Sequence, residues 1–109
     1  MGGETTVTIR GNGKGGRNQE LALAVLLELK DCVTPFYFCS LGTDGMDGVT
    51  DAAGAWIDHR TYAKTLELGL DAYQFLENND SYHFFQKLGQ LIITGPTHTN
   101  VMDVIFCFI

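Results

Sequence analysis

The chain has 109 residues, 45% of them hydrophobic, with 13 Asp and Glu against 7 Lys and Arg and a formal charge of −6. That length suits one small domain with a single core. The acidic balance argues against nucleic acid, whose phosphates demand a basic surface, and no apolar stretch reaches the roughly 18 residues of a membrane-spanning helix.

Thr5 to Arg10 ("TTVTIR") is short, β-branched and alternating, the pattern of a strand. A basic glycine-rich loop follows. Residues 18–30 ("NQELALAVLLELK") read as a helix, with Asn18 as N-cap and Glu20 in the first turn. Its segment from Leu21 to Leu27 is apolar all round, which implies burial on more than one side. "TPFYFCSLG" (residues 34–42) is a continuous apolar run, expected of a central strand covered on both faces.

Residues 43–54 form an acidic glycine-rich loop, and "AWID" opens another short strand. Three short helices are expected next: residues 60–68, ended by Gly69, then "LDAYQFLENN", then "DSYHFFQKLG". The third has Asp80 or Ser81 as N-cap and Gly89 as terminator. "LIITG" reads as a buried strand, "PTHTNVMD" as a polar loop and "VIFCFI" as a last strand. A chain ending in a hydrophobic strand is expected to belong to something larger. Strands and helices alternate without repeat or linker. That predicts a single α/β domain over residues 1–109, a three-layer α/β/α sandwich with a mostly parallel, mixed sheet.

Three cysteines without a CxxC or zinc-like spacing point to reduced thiols in an intracellular protein, cytoplasmic or mitochondrial. Cys39 and Cys107 lie in apolar runs and are expected to be buried.

Three polar loops carry the functional signal: residues 11–17, 43–54 and 95–103, each expected to follow a strand. They are rich in Gly, Thr, Asp and Asn, and in open parallel sheets ligands gather at the carboxyl ends of the strands. Gly11, Gly13 and Gly16 satisfy G-x-G-x-x-G, but Asp31 and Asp44 are badly placed for the acid that should hold a ribose. Gly11 and Gly16 also hold the P-loop spacing, with Arg17 and Asn18 where Lys and Ser/Thr belong. Both formulas share backbone N–H groups at a helix N-terminus, suited to an anion. Arg17 opposes the helix dipole there unless an anion or a carboxylate joins it. Lys14, between glycines, is expected to point to water. The alternative is a flexible basic turn.

Asp44, Asp47 and Asp51 do not make an EF-hand. They suit Mg²⁺ binding, proton acceptance from a hydroxyl, or turn and cap chemistry, with capping favoured for Asp51. Thr94, Thr97, Thr99 and Asn100 could meet a ligand or satisfy their own backbone. His59, His83 and His98 read as surface residues.

"GGETTVTIRGNGKGGRNQELAL", "GTDGMDGVTDAAGAW", "NNDSYHFF" and "LIITGPTHTNVMDV", taken in order, resemble the C-terminal MOFRL domain of the glycerate 2-kinases, some of whose relatives were labelled hydroxypyruvate reductases. The resemblance covers almost the whole chain. It implies ATP-dependent phosphate transfer to D-glycerate, giving 2-phosphoglycerate, with Mg²⁺. It also implies an N-terminal α/β domain, outside these residues, carrying a catalytic lysine and much of the nucleotide site. On this resemblance "GGRNQE" maps to Gly15 through Glu20 with Arg17 as the active-site arginine, "GTDG" to Gly42 through Gly45 with Asp44 as the acid, and "TGPTxTN" to Thr94 through Asn100. His98, Met102 and Val49 depart from the residues common in relatives.

The candidates are then Arg17 and Asp44 for catalysis. Gly13, Lys14, Gly15, Gly16, Asn18, Thr43, Thr97 and Asn100 are candidates for substrate or phosphate binding, and Asp44 or Asp47 for Mg²⁺. Competing readings are a non-catalytic module that binds a small anion or mediates oligomerisation, and a reductase-type oxidoreductase.

Overall fold

The computed structural model describes residues 14–32, 34–43, 45, 47–48, 50–95 and 103–108. The strand expected at Thr5 to Arg10 lies outside them. The elements are α1 (Arg17–Glu28), β1 (Tyr37–Gly42), β2 (Gly54–Asp58), α2 (Thr61–Glu67), α3 (Ala72–Glu77), α4 (Ser81–Leu88), β3 (Leu91–Ile92) and β4 (Asp103–Phe108). No helix among the described residues is long and apolar enough to cross a membrane.

Helix ends follow the local chemistry. Gly69, Asn79 and Gly89 all have φ between 53° and 73°. After each, the next N–H reaches back to a carbonyl in the preceding helix: Leu70 to Thr65, Asp80 to Phe75 and Gln90 to Phe85. This is the left-handed helix stop, which glycine adopts without a Cβ penalty and asparagine tolerates. Asp71 caps α3 by accepting from the Gln74 N–H.

The four strands lie in the order β3-β2-β1-β4, and every neighbouring pair is antiparallel. This corrects the expected mostly parallel sheet. Parallel neighbours need a crossover, usually through a helix. The connection from β1 to β2 contains only the acidic loop, so it returns the chain as a long hairpin. The three-layer sandwich is likewise not seen among the described residues.

One face of the sheet carries Phe38, Ser40, Ala55 and Ile57, in register across β1 and β2. Helix α1 lies against it, burying Asn18, Gln19, Ala22, Leu23, Leu26 and Leu27 at helical spacing. α3 and α4 also touch α1. Phe84, Phe85 and Leu88 complete the core, with the Phe84 and Phe85 rings edge to face at 5.0 Å. Leu21 remains exposed, so α1 is not covered all round.

The opposite face carries Tyr37, Trp56, Phe106 and Phe108, whose rings contact one another. Cys39 sits between its cross-strand neighbours Trp56 and Phe106 and is buried as expected. Cys107 is exposed, against expectation. It pairs with Phe38 on the helix face, and among the described residues β4 packs chiefly on β1.

Candidate functional site

Antiparallel order places the end of β1, the start of β2, the end of β3 and the start of β4 at one end of the sheet. The N-terminus of α1 meets them there. The polar loops therefore converge, although for a different reason from the strand-end rule of parallel sheets. Glycines permit the contact. A Cβ on Gly16 would fall within 2.5 Å of Asp47 Oδ1. Gly48, with φ at 65°, lies against the Gly15 carbonyl, and Gly45 against that of Gly95.

The first turn of α1 is not left open. Gly16 is its N-cap residue, in extended conformation, and no side chain of its own closes the helix. Asp47 does so from the acidic loop. Its Oδ1 accepts from the Asn18 N–H at 3.0 Å and its Oδ2 from the Gln19 N–H at 2.8 Å. The helix end expected to attract an external anion is thus occupied by the protein's own carboxylate, with the same electrostatic benefit. Thr50 steadies the loop by donating to the Asp47 carbonyl and accepting from Gln19 Nε2.

Asn18 is in the first turn of α1 and is not its N-cap. Its buried amide donates to Asp47 Oδ1 at 3.2 Å and to Asp103 Oδ1 at 3.0 Å, and its oxygen accepts from Ser40 Oγ at 2.5 Å. Asp103 in turn holds Arg17, taking Nε on Oδ2 at 2.5 Å and Nη2 on Oδ1 at 3.1 Å. The Arg17 guanidinium beside it holds the Asp103 carboxyl below the usual range. Two carboxylates therefore offset the arginine at the helix start, as the dipole requires.

Lys14 is anchored and does not simply project into water. Its N–H donates to Asp80 Oδ1, its carbonyl accepts from the Tyr82 N–H, and its Nζ lies 4.5 Å from the centre of the Tyr82 ring. A Cβ on Gly15 would meet Ser81 Oγ, which would have to turn aside. Asp51 caps no helix, because β2 follows it. It accepts from the Tyr82 hydroxyl at 2.7 Å, which raises the tyrosine pKa. His83 lies on α4 with Nδ1 2.6 Å from Asp80 Oδ1. Thr43 is half-buried where the acidic loop begins. Gly13, Asp44, Thr97, His98, Thr99 and Asn100 lie outside the described residues.

The chain as a whole has known relatives. The MOFRL family model matches residues 1–103. The chain belongs to the MOFRL family. It is 57% identical to the D-glycerate 2-kinase of Thermotoga maritima, over 96% of this chain and 25% of that protein. It is 48% identical to human glycerate kinase, over 99% of this chain and 22% of that protein. The crystal structure of the Thermotoga maritima glycerate kinase superposes with a TM-score of 0.91 at 53% identity, covering 99% of this chain and 26% of that one. The chain thus spans about a quarter of the length of these relatives.

In this MOFRL chain the described residues do not fit a Mg²⁺ ion. Both Asp47 oxygens face N–H donors, Asp103 is engaged by Arg17 and Asn18, and no group of three or more metal-ligating side chains occurs among the described residues. What the arrangement can do is hold an oriented guanidinium, about half exposed, at the meeting point of the loops. Sequence reading missed Asp103, Ser40 and Tyr82. Asp103 sits where the polar loop turns into an apolar strand, and a lone acid at that boundary was the available signal.

Proposed function

We propose that the chain forms part of an ATP-dependent glycerate 2-kinase, in which Arg17 binds the carboxylate of D-glycerate or the phosphoryl group in transfer. The names of the relatives support the reaction, and one observation supports the residue: an oriented, half-exposed guanidinium stands at the convergence of the loops. Phosphoryl transfer demands alignment and charge neutralisation more than covalent chemistry. A planar guanidinium suits either anion through paired hydrogen bonds.

Lys14 supplies a second cation nearby, with Gly13, Gly15 and Gly16 shaping the loop around the anion. Thr43, Thr97 and Asn100 are proposed as polar contacts, and Asn18 as a support beneath them. Asp44, between β1 and β2, is proposed to orient the substrate hydroxyl. Glycerate and ATP are then substrates of the full-length protein, whose remaining part supplies a second domain and much of the nucleotide site. Any Mg²⁺ travelling with ATP is assigned no ligand among the described residues. An intracellular compartment with reduced thiols suits such a kinase.

The test is steady-state kinetics of ATP-dependent 2-phosphoglycerate formation by the full-length protein. Arg17→Ala is expected to lower kcat/KM by roughly 100- to 1,000-fold. Lys14→Ala is expected to lose less than about tenfold, because its ammonium rests over the Tyr82 ring and contributes mainly general attraction. Arg17→Lys should restore activity only in part. Equal losses for the two alanine variants at matched stability reduce the site to a general basic patch.

A further inference from the structure

We infer that Asp103 is a positioning residue for Arg17, setting the plane and direction in which the guanidinium meets its anion; this rests on the role of Arg17 proposed above. Asp103 opens β4, in register with Gly42 at the end of β1. Its two oxygens take Nε and Nη2 of Arg17, one hydrogen bond each. Two bonds along one edge of a rigid planar fork fix the orientation of the whole fork.

The carboxylate is itself fixed from below. Asn18, 4% exposed, donates to Asp103 Oδ1, and its oxygen is held by the fully buried Ser40. A relay therefore runs from the sheet, through Asn18 and Asp103, to Arg17. The side chains of Arg17 and Asp103 are 48% and 35% exposed. Ion pairs that exposed contribute little to folding, so the main consequence of this one is geometric. An arginine with four rotatable bonds at a loop's edge would otherwise have to be ordered each time it met substrate. The same contact lowers the positive charge that an incoming anion feels. Orientation and attraction therefore pull in opposite directions, and kinetics can separate them.

The experiment is a double-mutant cycle on the full-length kinase, with circular dichroism and thermal melts confirming that each variant folds. Asp103→Asn removes the charge and one acceptor. It should lower kcat by about 10- to 100-fold, as expected for a misplaced group, while KM for glycerate stays level or falls. Asp103→Glu keeps the charge but shifts it by one methylene. It should also lower kcat, and it serves as the test where the asparagine variant does not fold. In the Arg17→Ala background, Asp103→Asn should cost less than about threefold more, since it acts through a group already removed. Wild-type kcat in both Asp103 variants overturns the inference, as does a loss that simply multiplies with that of Arg17→Ala. Either result leaves the Arg17 reading standing if Arg17→Ala alone is crippled. Full activity of Arg17→Ala sinks both.

Discussion

Asp47→Ala tests how the start of α1 is built. The carboxylate is 2% exposed and accepts from the N–H groups of Asn18 and Gln19 and from the Asn18 side chain. Truncation leaves two backbone donors of the first helical turn without their partner. Each buried donor left unsatisfied costs about 1–3 kcal/mol, so the pair costs about 2–6 kcal/mol. Removing a buried charge also removes its desolvation cost, which returns roughly 1–2 kcal/mol. At the midpoints of these ranges the expected net loss is about 2.5 kcal/mol, slightly above the upper end for loss of an ordinary helix cap.

Urea unfolding of the 109-residue chain, followed by circular dichroism, reads this directly. With a slope of about 1.5 kcal/mol per molar urea, the midpoint should fall by roughly 1.7 M at unchanged slope. Asp51→Ala provides the comparison. That carboxylate accepts from the part-buried Tyr82 hydroxyl, and its loss should cost about 0.5–1.5 kcal/mol. Asp47→Asn should recover less than half of the alanine loss, because its NH₂ must face one of the same donors. If Asp47→Ala shifts the midpoint no further than Asp51→Ala, water or another group satisfies the first turn, and the role given to Asp47 is wrong.

Gly16→Ala should destabilise by about 1–3 kcal/mol, because the added methyl would collide with Asp47; Gly89→Ala, where a Cβ meets nothing within 4 Å, should cost only about 1 kcal/mol for the left-handed backbone. Equal melting shifts for the two would deny the close approach of the loops. Native thiol labelling should modify Cys107 quickly and Cys39 slowly, since only Cys39 is covered; matching rates would contradict the packing of Trp56 and Phe106 over it. The Arg17–Asp103 contact should make stability depend on pH only in acid. Because Asp103 is held below its ordinary value, its contribution is complete above about pH 4 and is lost as pH falls through the lower folded value. Asp103→Asn should therefore flatten the part of the stability profile that lies below about pH 4, measured by urea unfolding. An unchanged acid limb would mean that Asp103 has no depressed pKa.

Much of the chain is legible from its sequence because the forces involved are local. Apolar spacing in "NQELALAVLLELK" marked α1, the apolar run around Phe38 marked a central strand, and Gly69 and Gly89 marked helix stops. Each follows from what one residue's backbone tolerates or one element's face must bury. The motif set also carried the MOFRL family, which the comparison bears out over residues 1–103. Strand direction was not local. Alternating strands and helices suggested a parallel sheet, yet the β1–β2 connection holds no helix among its described residues, and α2, α3 and α4 are short. They fall between β2 and β3, which run antiparallel, so none of them carries a parallel crossover.

The site divides in the same way. Arg17 was visible as a cation at a helix start, and the cost of placing it there called for either an anion or a carboxylate to join it. Which acids answer that need, Asp47 at 28 residues from Gln19 of the first turn and Asp103 at 86 from Arg17, was decided by the antiparallel fold. A carboxylate distant in sequence carries no mark of the helix it will cap or the guanidinium it will hold. Only the folded sheet brings them to the same end.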